Sequence, residues 1–235
     1  MAIGNVTPDS FYAASRLDGE QQIVAWARRS LSEGADILDI GGCSTRPNAP
    51  RASAEEEWQR VEPALRAIRA ALPEAMLSLD TFRPEIARRA LKQFGAMIIN
   101  DISGGCDEMY QLVSRWQVPY VLTLQKGENI ETNTEVSRDL DLILDPGFGF
   151  LGGVEQDYAR LRQLDRLRQY GRPILVGLSR KSMIWKPLGL TPETSLMPTQ
   201  ALQLYALEHG ATILRTHDVA ATRQTVQLFE LINKS

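Results

Sequence analysis

The chain has 235 residues, 43% of them hydrophobic and 23% charged, and a formal net charge of −3. This composition is typical of a soluble globular enzyme, and it excludes a basic field that could bind nucleic acid or an acidic membrane. No apolar run is long enough to cross a bilayer, and no charged start precedes an apolar signal core. The only cysteines, Cys43 and Cys106, imply no disulfide framework and predict a reducing, cytoplasmic location.

Eight short apolar runs recur along the chain, with helix-length segments between them. The runs are near-continuously apolar rather than alternating, which is typical of parallel strands covered on both faces. They cover residues 1–5, 35–42, 75–81, 96–102, 119–125, 141–147, 173–179 and 211–218.

The segments between the runs are amphipathic and carry helix-boundary signals. Ser53 followed by glutamates predicts the start of a helix over 53–72. Pro84 in the first turn and Gly95 at the end bound a second helix. Further helices are predicted over 154–171, 196–210 and 219–233. Eight strand–helix units predict an α/β TIM barrel, (β/α)8, as a single domain over 1–235. A doubly wound open sheet is the alternative.

Two places fit this repeat badly. Strand 1 has four residues before Asn5, and about fifteen residues, 126–140, separate strands 5 and 6. A crossover helix with its loops barely fits that length. Either this helix is much reduced, or the chain lacks residues at its start and near 126–140.

Polar residues stand at the C-terminal ends of the strands, where the active site of a TIM barrel lies. A lone Asp or Asn there is usually a turn or cap residue, but eight polar residues converging on one rim indicate a ligand site. Asp80, Asn100 and Asp145 offer carboxylate and amide edges that suit a flat heterocycle rich in N–H donors. The whole set is Asn5, Asp39, Asp80, Asn100, Asp145, Lys181, Arg215 and His217.

Arg215 and His217 lie two residues apart at the end of strand 8. Residues i and i+2 of a strand point to the same face, so a cation and an imidazole would share one small volume. The region after strands 7 and 8 is a frequent phosphate site, and a guanidinium matches phosphate oxygens. The pair therefore predicts an anion site, with Asn5 on the neighbouring strand. The alternative is a salt-bridged rim with Asp218.

Three loop stretches complete the rim. The first two, after strands 1 and 2, are predicted to act as lids because they combine arginine, phenylalanine and glycine at the site. No Cys/His metal cluster is encoded, since the chain has only two histidines. The loop residues singled out are Phe11 after strand 1, Thr45, Arg46 and Pro47 after strand 2, and Phe148 and Phe150 after strand 6.

Seven motifs, in order from residue 1 to about residue 225, resemble those of the dihydropteroate synthases. They are NVTPDSF (5–11), DIGGCSTRPNA (39–49), LDT (79–81), NDISGG (100–105), LDPGFGF (144–150), GLSRKSMI (177–184) and LRTHDV (214–219). The resemblance implies a TIM-barrel transferase of folate biosynthesis. It would condense 6-hydroxymethyl-7,8-dihydropterin diphosphate with 4-aminobenzoate, releasing diphosphate by a dissociative substitution.

The resemblance also implies roles for individual residues, with Asp80, Asp145, Lys181, Arg215 and His217 as the catalytic set. Diphosphate would be bound by Asn5, Arg215 and His217, with Mg²⁺ beside Asn5, and Asp39 is a further substrate-binding candidate. The pterin would be bound by Asp80, Asn100, Asp145 and Lys181. The pocket for 4-aminobenzoate, which would also admit sulfonamides, would be framed by Phe11, Thr45, Arg46, Pro47, Phe150, Lys181 and Ser182. A homodimer through the helices after strands 6 to 8 is implied as well.

The sequence departs from the family pattern in three places. Thr123, Leu124 and Gln125 replace a Met-His-Met run, Cys43 replaces a glutamate, and residues 151–153 lack the usual lysine. Two alternatives stay open. A methyltetrahydrofolate-dependent corrinoid methyltransferase would share the pterin contacts but would not need the Arg-x-His pair. A non-catalytic pterin-binding paralogue is motivated by the strand 5 change.

Overall fold

The computed structural model describes residues 1–6, 19–43, 52–125 and 140–234, and the strands within them form a closed barrel. Parallel pairing runs from β1 to β6 in chain order, and β7 pairs with β8. Parallel bridges join Leu144 to Ile174 and Ala2 to Thr216, which closes the ring of strands. The predicted TIM barrel is confirmed, and the open sheet is wrong. The strands are β1 Ala2–Asn5, β2 Ile37–Gly41, β3 Met76–Asp80, β4 Ile98–Asp101, β5 Tyr120–Thr123, β6 Leu142–Asp145, β7 Leu175–Val176 and β8 Ile213–Leu214.

The helices surround the strands, and their starts follow the sequence signals. Ser53 caps α2 through a capping box with Glu56, and Pro84 and Gly95 bound α3 as predicted. Within the described ranges, no helix has the length and apolarity needed to cross a membrane. The helices are α1 Glu20–Ser32, α2 Ala54–Ala71, α3 Pro84–Phe94, α4 Asp107–Trp116, α5 Val154–Leu161, α6 Ser182–Trp185, α7 Leu196–Glu208 and α8 Val219–Ile232.

The prediction of one continuous helix over 154–171 is wrong. Helix α5 ends at Leu161, and a 3₁₀ helix follows over Leu164–Tyr170. The buried leucines Leu161, Leu164 and Leu167 recur every three residues. A 3₁₀ helix has three residues per turn, so Leu164 and Leu167 lie on one face towards the core, and Leu161 is buried at the end of α5.

A small apolar cluster fills the barrel below the rim. It comprises residues from the start of most strands, including Ile37, Ile98 and Ile143. Because side chains alternate along a strand, the residue two positions further on points into the same interior, nearer the rim. Those residues are Asp39, Asn100 and Asp145, so the strand alternation itself carries polar groups to the mouth of the barrel.

Candidate active site

Arg215 joins two carboxylates at the mouth of the barrel. Its Nε donates to Asp39 Oδ2 at 2.6 Å, and its Nη2 donates to Asp80 Oδ2 at 2.6 Å. Asp39 is completely buried, while the side chains of Arg215 and Asp80 are each 17% exposed. Asp218 pairs with Arg180 instead, so the alternative of a rim salt bridge between Arg215 and Asp218 is not what the structure shows.

Asp39 is the most deeply buried of the carboxylates at the site. Its Oδ2 also accepts a hydrogen bond from Asn100 Nδ2 at 3.2 Å. Its Oδ1 is buried and has no hydrogen-bond partner in the described part of the chain. A carboxylate in this position acts on a ligand through Arg215 and Asn100, whose orientation it fixes.

Burial shifts the pKa values of Asp80, Asp145 and Lys181 towards neutral pH. Burial raises the pKa of Asp80 to about 7; Arg215 opposes the shift and Asp39 adds to it. Burial also raises the pKa of Asp145 against the opposing charge of Lys181. The pKa of Lys181 falls to about 8, because burial outweighs the attraction of Asp145. Ionisable groups shifted in this way are typical of ligand and catalytic sites.

Asp145 and Lys181 face each other across the turn that follows β6. The Gly147 amide donates to Asp145 Oδ1 at 2.8 Å, at a φ of 75° that favours glycine. Lys181 Nζ donates to the Phe148 carbonyl and lies 3.9 Å from the centroid of the Phe150 ring. The Phe150 ring therefore lies under the ammonium, whereas the Phe148 ring is buried in the core rather than at the rim.

The loops that follow β7 and β8 are cross-linked by side chains. Ser179 Oγ lies 3.0 Å from His217 Nδ1 and accepts the backbone N–H of His217 at 3.1 Å. Arg180 makes two hydrogen bonds to the Asp218 carboxylate, at 2.8 and 2.6 Å. Lys181 and His217 are thereby held in a fixed relation to each other.

The other predicted residues that the structure describes lie at the same rim. Asn5 ends β1 and pairs in register with Gly41, and Ser182 begins α6 directly after Lys181. Thr123 is buried at the end of β5, and Gln125 donates to the Ile102 carbonyl at 2.9 Å, bracing the loop after β4. Four predicted ligand residues lie outside the described residues: Phe11, Thr45, Arg46 and Pro47.

Sequence reasoning missed Ser179, Arg180 and Asp218 as parts of the site. Each lies within two positions of a residue that was singled out, and all three fall inside the motifs GLSRKSMI and LRTHDV. Their pairing joins positions 38 apart in the chain, so it needs the barrel to bring the two loops together.

Comparison with known proteins identifies similar sequences over the whole barrel. Residues 1–141 and 132–217 match the pterin binding enzyme family. A dihydropteroate synthase of Streptococcus pyogenes serotype M3 is 35% identical over 249 residues, covering 96% of this chain and 92% of the relative.

Solved structures of dihydropteroate synthases share the fold. The Clostridium difficile protein with pteroic acid has a TM-score of 0.90 at 30% identity, over 100% of this chain and 96% of that one. The Xanthomonas albilineans protein with 4-aminobenzoic acid has a TM-score of 0.88 at 35% identity, over 100% and 92%. The Yersinia pestis protein with a sulfonamide drug has a TM-score of 0.91 at 31% identity, over 100% and 94%.

Proposed function

The chain belongs to the dihydropteroate synthase family of pterin-binding enzymes, and we propose that it condenses 6-hydroxymethyl-7,8-dihydropterin diphosphate with 4-aminobenzoate. The products are 7,8-dihydropteroate and diphosphate. The observation that carries this proposal is the pair of hydrogen bonds that Arg215 makes to Asp39 and Asp80. They hold a largely buried cation at the position where a heterocycle and an anion would meet. The corrinoid methyltransferase and the non-catalytic paralogue are not favoured, since the relatives are dihydropteroate synthases.

The pterin is proposed to bind at Asp80, Asn100 and Asp145. The carboxylates accept hydrogen bonds from the N–H groups of the ring, and the Asn100 amide can both donate and accept. Hydrogen bonds to ionised groups contribute about 1.5–3 kcal/mol each, which favours ionised Asp80 and Asp145 over their neutral forms.

Substitution is proposed to begin with departure of diphosphate. The bond between the methylene carbon and the diphosphate oxygen breaks, and its electron pair leaves with the oxygen. The cation that remains is delocalised over the dihydropterin and is stabilised by the carboxylates of Asp80 and Asp145. Arg215 exchanges Asp80 for a phosphate oxygen while its Nε stays on Asp39. The amine of 4-aminobenzoate then attacks the carbon and loses a proton to solvent.

Mg²⁺ is proposed to bind with the diphosphate, beside Asn5. Among the described residues, no group of three or more His, Cys, Asp or Glu could hold a metal ion. Mg²⁺ keeps several waters and is usually held by one or two protein oxygens plus substrate phosphates, so the amide oxygen of Asn5 is a suitable ligand. Asn5 would supply the amide oxygen, and the ion when bound would neutralise charge on the leaving diphosphate.

The second substrate is proposed to bind against Phe150, Lys181 and Ser182. The solved relatives with 4-aminobenzoic acid and with a sulfonamide support both ligand classes for this pocket. Phe150 offers an aromatic face, and Lys181 with Ser182 offers hydrogen-bond donors for a carboxylate or a sulfonyl group. The segments that carry Phe11 and Thr45 to Pro47 are proposed to complete it.

A homodimer through α7 and α8 is proposed, because these helices expose large apolar side chains. Leu231 is 63% exposed, and Met197, Leu228 and Ile232 are also exposed.

We expect Leu231→Asp to shift the dimer towards the monomer, since a charge in an apolar interface is strongly unfavourable. Light scattering coupled to size exclusion measures the mass. The matched control is Met76→Asp, at a residue 56% exposed at the start of β3, which should leave the mass unchanged. Unchanged mass for both variants would place any interface elsewhere.

The pH dependence of kcat/KM is expected to be bell-shaped. Activity should rise as Asp80 loses its proton, with an apparent pKa of about 7. It should fall again as Lys181 loses its proton, with an apparent pKa of about 8. Both limbs report the free enzyme. In Asp80→Asn the acid limb should disappear and the basic limb remain; an acid limb that persists in this variant would assign it to another group.

A coupled assay of diphosphate release tests the proposed function. Release from the pterin diphosphate should require both 4-aminobenzoate and Mg²⁺ and should be matched by formation of dihydropteroate. Binding of the pterin without release under these conditions would instead favour the non-catalytic paralogue and direct attention to Thr123 and Gln125.

A further inference from the structure

The Ser179 hydroxyl lies between two nitrogen atoms of His217. The backbone N–H of His217 can only donate, so at 3.1 Å it occupies a lone pair of Ser179 Oγ. The remaining contact, from Oγ to His217 Nδ1, is 3.0 Å long. Ser179 is 5% exposed, and in the described part of the chain its hydroxyl has no other acceptor. Donation of the hydroxyl proton to Nδ1 would satisfy both groups, and it requires an unprotonated Nδ1.

We propose that Ser179 fixes His217 as a neutral imidazole protonated on Nε2, so that the ring is a hydrogen-bond donor to the diphosphate and not its general acid. The identity of the anion rests on the proposed function, but the protonation state of the ring does not. Ser179 is a positioning residue in this role, because it acts on the anion only through His217.

The surrounding ion pair keeps the two groups in contact. Arg180, buried and in the left-handed region at a φ of 55°, holds Asp218 through two hydrogen bonds and also donates to the carbonyls of Pro192 and Glu193. Ser179 directly precedes Arg180, and His217 directly precedes Asp218. The ion pair thus fixes the distance between the hydroxyl and the ring, and the strained φ shows that the loop conformation is held by these contacts.

The charges around His217 favour the neutral ring. Burial, the largest cause, acts together with Arg215, Arg180 and Lys181 to lower the pKa of His217 to about 3, and Asp218 opposes them. A second cation next to Arg215 would be repelled, whereas a neutral N–H still donates to a phosphate oxygen. A neutral imidazole N–H is far too weak an acid to protonate the leaving group, so diphosphate departs with charge stabilised by hydrogen bonds and not by proton transfer from His217.

The second histidine of the chain provides an internal reference. His209 Nδ1 lies 2.8 Å from the Tyr205 carbonyl oxygen, which can only accept, so this Nδ1 carries a proton. The two histidines are therefore expected to have opposite protonation at Nδ1. One spectrum of the full chain can report both rings.

Two-bond ¹H–¹⁵N spectra of the full chain labelled at histidine nitrogens test the proposal. His209→Gln removes the imidazole signals of His209, so the signals that remain belong to His217. For His217 we expect an unprotonated Nδ1, a protonated Nε2 and no titration between about pH 5 and pH 8. A protonated Nδ1, or titration of His217 in this range, would overturn the proposal.

Substitution of Ser179 separates positioning from folding. Ser179→Ala removes the donor to Nδ1, and we expect mixed tautomers together with a raised KM for the pterin diphosphate and a smaller change in kcat. Ser179→Thr keeps a hydroxyl and should restore both the spectrum and KM, which a purely structural role would not require. An unchanged spectrum in a folded Ser179→Ala would refute the assignment. Wild-type enzyme inactive in the diphosphate assay would refute the proposed function alone, because the ring spectrum does not depend on turnover.

Discussion

Arg215→Ala is expected to lower kcat/KM by roughly 10²–10³-fold, as removal of a hydrogen-bond donor to developing negative charge does elsewhere. The same substitution should lower the free energy of unfolding by about 3–5 kcal/mol, the usual effect of breaking a buried ion pair from one side. Both effects follow from the position of Arg215 between Asp39 and Asp80. Steady-state kinetics with the pterin diphosphate and urea unfolding measure them.

The stability effect of Arg215→Ala should depend on pH. Burial raises the pKa of Asp80 and Arg215 opposes that shift, so without the cation the folded-state pKa of Asp80 lies further above its unfolded value. Protonation at low pH then favours the folded state, so the deficit should shrink as pH falls and grow as pH rises. Arg88→Ala is the matched control, since it removes only a surface pair with Glu108 and should cost less than about 1 kcal/mol.

The double variant Arg215→Ala with Asp39→Asn distinguishes the two roles of Arg215. It removes one uncompensated charge, so stability should be partly recovered while kcat/KM stays low. If Arg215→Ala alone retained near wild-type activity, the anion site would not be at the end of β8, and the proposed path of diphosphate departure would be wrong.

Strand alternation explains why much of the site could be predicted from sequence. Ile98 and Asn100 are two residues apart, and so are Ile143 and Asp145. Side chains two residues apart in a strand point the same way, so a polar residue two positions after an interior isoleucine also points into the barrel, nearer the rim. The closed barrel then brings all rim positions together. Placing Asn100 and Asp145 on the same rim needed only this periodicity and the fold.

The partners of each rim residue could not be predicted in the same way. Asp39 and Asp80 are 176 and 135 residues from Arg215 in the chain, and nothing local distinguishes them from Asp218, which is three residues away. Which carboxylate pairs with Arg215 depends on the register of the strands, because the register decides which side chains lie beside the guanidinium. The break after Leu161 was missed because a period of three and a period of 3.6 nearly coincide over two turns.

Pterin affinity in Asp145→Asn is expected to fall by roughly 10–100-fold, equivalent to the loss of about 1.5–3 kcal/mol from a hydrogen bond to a charged group. The substitution keeps the shape of the side chain and an oxygen that can accept from Gly147, so the turn after β6 should persist. Titration calorimetry with 6-hydroxymethyl-7,8-dihydropterin measures the affinity. Asp141→Asn, an exposed carboxylate just before β6, is the matched control and should bind as wild type does.

Asp145→Asn should also change the chemistry beyond the loss of affinity. Under saturating substrate, kcat should fall as well, because the carboxylate is proposed to stabilise the dihydropterin cation only while that charge exists. Asp145 raises the pKa of Lys181 against the effect of burial, so the basic limb of the kcat/KM profile should move to lower pH in the variant. Weakened binding with an unchanged kcat and basic limb would restrict Asp145 to recognition of the pterin, and Asp80 would then carry the stabilisation of the cation.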